Sequence, residues 1–368
     1  MPTEFIIAVS ILMLLIIPEF RSILVRFARK IQLKCSADHK YVRNEAVILG
    51  GVRQFIQIKA YDSTKNILLF VHGGPGWSET AISYEYQNML KDHYVIVNWD
   101  QRCVGETALL SGASPEADIH MEDIVSDAAE LAAFLKNKFS DKKLFVIGHS
   151  WGSVVGGLLS SRHPDLVDGY IGWGQVSDMD GGEKLAFAHT MDLAKEQKDS
   201  KTLESLAAIQ PYPCSADKGE ENRRKMTIFT DLKYDYGYGS LKFVGTKHFC
   251  RENLRQAIKN PYYHLRALKY IGNERAYAYI LGEELKKVNM TVLAPIFRIP
   301  VIMIYGDNDW QTPFVAGEEY LESIEAPYKK IYYVKNAGHS TTFDNARQFT
   351  DFLKGPIYDA LNTNGVER

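Results

Sequence analysis

Leu144-Phe145-Val146-Ile147-Gly148-His149-Ser150-Trp151-Gly152 is the stretch that decides the fold class of this chain. Four consecutive apolar residues bounded by turn signals read as a strand buried on both faces. Gly148 and Gly152 flank a turn so sharp that a side chain at either would collide with the neighbouring strand or helix. Ser153–Arg162 is helix-compatible and ends before His163-Pro164. Strand, sharp turn and helix in this order strain the Ser150 backbone and lift its hydroxyl into the open. The stretch therefore predicts an α/β protein with Ser150 as a nucleophile.

Outward from there the same alternation continues. Ile67–Val71, Tyr94–Trp99 and Tyr170–Trp173 read as further strands. Met121, Ile124, Val125, Ala128, Leu131 and Leu135 follow the helical spacing i, i+3, i+4, i+7. Ala46–Leu49 and Phe55–Lys59 flank Gly50-Gly51, a hairpin signal. Strands alternating with helices predict a mostly parallel sheet with helices on both faces. From 176 to 297 the chain turns polar, helix-biased and tyrosine-rich, and alternation resumes at Pro300–Tyr305 and Lys330–Val334. We therefore expect a core of residues 45–175 and 298–362 interrupted by a helical cap at 176–297. A last helix is expected to start near Asp344, a good N-cap.

Composition narrows the function. The length, 368 residues, suits two domains or one large domain with an insertion. With 46% hydrophobic and 24% charged residues, a sizeable core can be buried. The net charge of −2 gives no support for nucleic-acid binding, which normally needs a basic face. Cys35, Cys103, Cys214 and Cys250 lie far apart without CxxC spacing, which argues against a metal site and leaves the redox compartment open. The triplet Asn289-Met290-Thr291 is a glycosylation sequon that matters only in a secretory lumen.

The N-terminus carries a separate signal. Phe5–Ile17 is apolar apart from Ser10, and Arg21, Arg26, Arg29, Lys30 and Lys34 follow it. The run is short for a span unless it extends through Phe20, Ile23, Leu24 and Val25. Cations on its C-terminal side suggest an anchor within residues 1–30, membrane contact through 5–25 and a cytoplasmic catalytic domain. A cleaved signal, with secretion, and an interfacial or buried helix are the alternatives.

A serine nucleophile needs a base, and the base needs an orienting acid. Gly306-Asp307-Asn308-Asp309 follows one late strand, and Ala337-Gly338-His339-Ser340 follows the last. Both are C-terminal strand ends, where ligands bind in open parallel sheets. His339 is thus the expected base. The spacing G-x-x-D-x-x-x-P from Gly306 to Pro313 selects Asp309 as the acid, with Asp307 as a turn residue and Asp178 or Asp180 as more distant alternatives. His72-Gly73-Gly74-Pro75-Gly76 follows the Ile67–Val71 strand. The N–H groups of Gly74 and Trp151 are expected to form an oxyanion hole, since Pro75 has none to offer. His72 is expected to fix this loop, with Gly73, Pro75 and Gly76 as its support.

His72–Gly76, Trp99-Asp100-Gln101-Arg102 and Gly148–Ser153 together resemble the proline iminopeptidase family of α/β-hydrolase-fold serine peptidases. The resemblance spans about residues 45–175 and 298–355. It implies an eight-stranded, mostly parallel sheet, a helical cap after the sixth strand, and release of an N-terminal residue, often proline, from peptides. No cofactor is implied. Two positions depart: Cys103 stands where the family has glycine, and Thr107 where serine is usual. If that glycine is left-handed, Cys103 is strained. Cys103 is not expected to be a nucleophile, because no histidine is placed to serve it. Such aminopeptidases also need cap carboxylates for the substrate amine, and Glu183, Glu196, Glu204, Glu220 and Glu221 are candidates by charge alone. The alternatives are a carboxylesterase or lipid hydrolase with the same machinery, and a catalytically idle binding protein. A serine at the elbow disfavours haloalkane dehalogenases and epoxide hydrolases, which place aspartate there.

Overall fold

The structure is a computed structural model describing residues 18–35, 42–112, 119–213, 220–277 and 280–363. Its strands are β1 (Val42–Leu49), β2 (Val52–Lys59), β3 (Ile67–Val71), β4 (Val95–Asp100), β5 (Leu144–His149), β6 (Gly169–Trp173), β7 (Val301–Gly306) and β8 (Lys329–Val334). They form one eight-stranded sheet in the order β1-β2-β4-β3-β5-β6-β7-β8. The Gly50-Gly51 hairpin joins β1 to β2, and both pairings of β2 are antiparallel. All other pairings are parallel. The interior strands are mostly apolar because helices cover both of their faces; β3, β4, β6 and β7 are buried at every position, Asn98 and Asp100 of β4 included.

The principal helices are α1 (Pro18–Cys35), α2 (Gly105–Ser111), α3 (Met121–Lys138), α4 (Trp151–Arg162), α5 (Met179–Glu196), α6 (Ser200–Ala208), α7 (Glu220–Asp235), α8 (Thr246–Lys259), α9 (Phe314–Ser323), α10 (Thr341–Lys354) and α11 (Pro356–Asn362). On one face of the sheet, Leu131 of α3 and Val155 of α4 join a core with Val71 and Val97. On the other, Phe349 of α10 and Ile357 of α11 pack with Phe70 and Ile96. The helices between β6 and β7 close over a small core of their own, with Ala186, Leu206, Ile209, Phe229 and Leu232.

Register brings the sequence motifs together. Val71 pairs with Trp99 on one side and Gly148 on the other, so the chain leaves β3, β4 and β5 at one level. Trp173 pairs with His149 and with Ile304, and Gly306 pairs with Val334, which brings the ends of β6, β7 and β8 to the same edge.

The last long helix starts near Asp344, as expected: the stretch Thr341–Lys354 breaks at Asn345 (φ −148°, ψ 63°), whose side chain accepts the Gln348 N–H at 3.3 Å. The cap is Asn345 and not Asp344, whose carboxylate is turned to Ser240 and to Gly338. Pro18 opens a helix whose Ser22 and Arg26 are buried against the domain, while Ile23, Leu24 and Val25 are exposed. Among the described residues no helix is long and apolar enough to cross a membrane, and Phe5–Ile17 lies outside them.

Candidate active site

The turn after β5 is as tight as its glycines require. Ser150 sits at φ 53° and ψ −120°, a conformation that L-residues adopt only under constraint. A Cβ on Gly148 would fall on the Gly152 carbonyl, and one on Gly152 would fall on that of Val71. The constraint is tied down by hydrogen bonds. The Ser150 N–H donates to Trp173 O at 2.9 Å, and the Ser153 hydroxyl donates to Ser150 O at 2.5 Å and accepts from Val176 N at 2.9 Å. Trp151 opens α4, so its N–H lies where a helix has no partner of its own, at the positive end of the helix dipole.

Asp309 and His339 meet across the ends of β7 and β8. His339 Nδ1 lies 2.9 Å from Asp309 Oδ2, and the Asp309 side chain is fully buried. The other carboxylate oxygen accepts the N–H groups of Gln311 and Thr312 at 3.1 and 3.0 Å. The Thr312 hydroxyl reaches both residues, 3.2 Å from Asp309 Oδ2 and 3.1 Å from His339 Nδ1. Asp307 is elsewhere: it accepts from Ala337 N at 3.2 Å and stands 3.8 Å from Lys335 Nζ. Asp178 caps α5 and Asp180 pairs with Lys184, so neither touches the histidine.

Ser150 is joined to this pair through His149. The His149 ring stacks on Trp173 with centroids 3.9 Å apart and lies 4.8 Å from that of His339. Burial, then the neighbouring His339, pushes the His149 ring well below the ordinary histidine pKa, so it stays neutral. Among the described residues no hydrogen bond joins Ser150 to His339. Contacts of this kind are often long before substrate binds.

The loop after β3 faces the turn. A Cβ on Gly73 would stand 3.0 Å from His149 O and 3.2 Å from Ser150 Cβ. Gly74 has φ +111°, and the bond from Gly74 to Pro75 is cis. His72 holds the loop from within: Nδ1 lies 2.9 Å from Gly73 O, and Nε2 accepts the Gln101 N–H at 3.1 Å. These partners assign the neutral tautomer protonated on Nδ1, and burial pushes the ring down to about 4. Gln101 then bridges the two sides. Its Nε2 donates to His72 O at 3.1 Å, and its Oε1 accepts the Trp151 indole N–H at 3.1 Å. Pro75 continues to Gly76, whose carbonyl accepts the Asn273 N–H at 2.9 Å. Cys103 does take the left-handed conformation, at φ 59°.

Four participants were missed in the sequence. Gly174, at φ +54°, leaves room for the pair, since a Cβ there would be 2.7 Å from His339 Cε1. Its signal was a glycine directly after the Tyr170–Trp173 run. Thr312 and His149 had no signal beyond their neighbours. Tyr238 contributes a backbone carbonyl, which accepts the His339 N–H at 2.7 Å, and that no sequence reading reveals. Nearby, Trp310 stacks on His189 of α5 at 3.7 Å. Among the carboxylates considered for a substrate amine, Glu183 is buried against Lys233 Nζ at 2.6 Å and Tyr212 OH at 2.5 Å. Glu221 pairs with Arg224 at the surface, Glu196 and Glu204 are exposed, and the Glu220 side chain lies outside the description.

Comparison with known proteins agrees with this architecture. The alpha/beta hydrolase fold profile matches residues 66–346. A probable aminopeptidase of Bacillus subtilis, YbaC, is 26% identical over 309 residues, 83% of this chain and 93% of its own. A proline iminopeptidase-related protein from Thermus thermophilus superposes with a TM-score of 0.62 at 18% identity, over 89% of this chain and all of that one. An esterase from Rhodococcus gives 0.53 at 17%, over 87% of this chain and 99% of its own. At these identities the two structural likenesses speak for the fold alone.

Proposed function

Because the chain belongs to the α/β-hydrolase fold family, we propose that it is a serine hydrolase acting through an acyl-enzyme, of the proline iminopeptidase-like aminopeptidase type. The observation that carries this is the buried Asp309–His339 hydrogen bond at the sheet edge where the strained Ser150 turn projects. Asp309 accepts from Nδ1, which leaves Nε2 as the base. Ser150 Oγ attacks the scissile carbonyl, and its proton passes to His339 Nε2. The N–H groups of Gly74 and Trp151 hold the oxyanion, each worth about 2.7–4 kcal/mol in the transition state. His339 then protonates the leaving amine, and water activated by the same ring releases the acyl group. His72 and Gln101 position the two oxyanion donors relative to each other. Residues 176–297 act as a cap over the site, and 45–175 with 298–362 form the core beneath it.

The peptidase assignment draws on the motif resemblance and on the aminopeptidase-named relative. A second reading, an ester hydrolase, is favoured by Glu183, whose charge is already spent on Lys233. The purified protein should be labelled by a fluorophosphonate probe at Ser150. Its turnover of a proline arylamide against a short-chain aryl ester decides between the readings. Preference for the arylamide supports the aminopeptidase, preference for the ester moves the assignment, and failure to label ends the serine-hydrolase reading. We further propose that the N-terminal segment attaches the chain to a membrane, with the catalytic domain on the cytoplasmic side.

A further inference from the structure

Helix α1 is packed with its polarity reversed. A helix on a globular domain ordinarily turns its apolar stripe inward and its charges to water. Here Ser22, Arg26 and Arg29, spaced i, i+4, i+7, face the domain, and Ser22 and Arg26 are buried. On the opposite side Leu24, Phe27 and Ile31, spaced i, i+3, i+7, are exposed by 49%, 65% and 50%, with Ile23 beside them.

Strong contacts hold that arrangement. The Arg26 guanidinium donates to the carbonyls of Ile258, Asn260 and Tyr263, where α8 ends. A cation there meets the negative end of the helix dipole and its unpaired carbonyls. Arg29 donates to Lys259 O at 3.2 Å and to Glu85 at 2.6 Å, and lies 4.8 Å over the Tyr84 ring. The polar face is thus satisfied by the domain, and among the described residues the apolar face is covered by nothing.

We infer that α1 lies flat on a lipid bilayer, with Leu24, Phe27 and Ile31 among the acyl chains and Arg21 and Lys30 at anionic headgroups. This rests on the membrane-attachment reading above and adds which face of which helix makes the contact. Three observations choose lipid as the occupant. The chain immediately before α1 is the uncharged apolar run Phe5–Ile17, which needs the same environment as the stripe. The exposed flanks of the stripe carry Arg21 and Lys30, matching an anionic surface. A second copy docked on the same face would set those cations against their own counterparts. Because Arg26 ties α1 to α8, binding would also fix the orientation of the hydrolase on the surface.

The test uses the full chain in flotation with phosphatidylcholine vesicles, with and without anionic phosphatidylglycerol. Wild type should float with both and more strongly with the anionic ones. Leu24→Glu, Phe27→Glu and Ile31→Glu combined should weaken partitioning by about tenfold or more, with thermal unfolding and aryl-ester turnover unchanged. In a second arm, Phe27→Trp should show a blue-shifted emission quenched by doxyl-labelled lipid, while Val292→Trp, exposed on another helix, should not. Undiminished binding of the charged variant, or an unquenched Phe27→Trp, would overturn the inference while leaving membrane attachment in place. Failure of wild type to float would overturn both. A wild-type dimer in solution that the charged variant converts to monomer would give the stripe to a second copy instead.

Discussion

The backbone N–H of His339 donates to the carbonyl oxygen of Tyr238 at 2.7 Å, so the segment between β6 and β7 grips the histidine loop directly. Ser340 N repeats the contact on Gly239 O at 2.8 Å. Asp344 locks both strands of this contact together. Its carboxylate accepts from Ser240 Oγ, Leu241 N and Lys242 N on one side and from Gly338 N on the other, at 2.7–3.0 Å. Asp344→Asn puts a donor where only donors point in. The expected result is a loss of about 2–3 kcal/mol of stability and a drop in kcat of about 10- to 10²-fold as the imidazole shifts. Urea unfolding and steady-state kinetics read the two effects.

Ser150→Ala should remove turnover by several orders of magnitude while leaving the fold intact, because the hydrogen bonds that hold the turn use the Ser150 backbone and not its hydroxyl. Intact-protein mass after fluorophosphonate treatment should show no adduct. Near-wild-type activity in this variant would refute the acyl-enzyme reading.

Asp309→Asn should cost far more activity than Asp307→Asn. An amide at 309 would leave the imidazole in the wrong tautomer, a loss of about 10⁴ where this has been worked through for a serine triad. Among the described residues the Asp307 side chain meets Ala337 N and Lys335, so its amide should stay within a few-fold of wild type. Comparing kcat/KM of the two variants decides, and the opposite ranking would reassign the acid.

Cys103→Gly should stabilise the protein. The left-handed conformation at φ 59° costs an L-residue about 1–2 kcal/mol. Glycine recovers part of that and returns some as backbone entropy, so a net gain of about 0.5–1 kcal/mol is expected. The loop is held independently by Asn273 Nδ2 on Cys103 O and Tyr277 OH on Arg102 O, both at 2.7 Å. A fall in the urea midpoint would mean that the thiol itself contributes.

His72 imposes a pH dependence of defined sign. The free ring titrates near 6.5, and burial pushes it down to about 4 in the folded chain. Between those values the unfolded chain binds the extra proton, so stability rises with pH across the window. The contribution is complete above about 6.5 and lost as pH falls toward 4. Buried Asp100 and Glu79, pushed up to about 6 and about 7, act with the opposite sign. The comparison must therefore be made against His72→Gln. Wild type should lose up to about 3 kcal/mol relative to that variant between the two pH values. Parallel stability curves would show that the ring is not held neutral.

Much of the molecule was legible in the chain because its signals are local. Runs such as Ile67–Val71 and Leu144–Ile147 announce buried parallel strands by being apolar at every position. The glycines around Ser150 announce a tight turn, and Gly50-Gly51 a hairpin, because backbone sterics act over a few residues. The spacing from Gly306 to Pro313 singled out Asp309 for the same reason. What tertiary structure decided is where distant groups meet. That Gln101 spans from His72 to Trp151, that Tyr238 lends its carbonyl to His339, and that Gly174 vacates space for Asp309 and His339 depend on strand order and register. Helix α1 shows the difference most sharply. The sequence contains both an apolar stripe and a polar stripe, and periodicity alone would bury the apolar one. The docked helix buries Arg26 instead, because the carbonyls at the end of α8 are there to receive it.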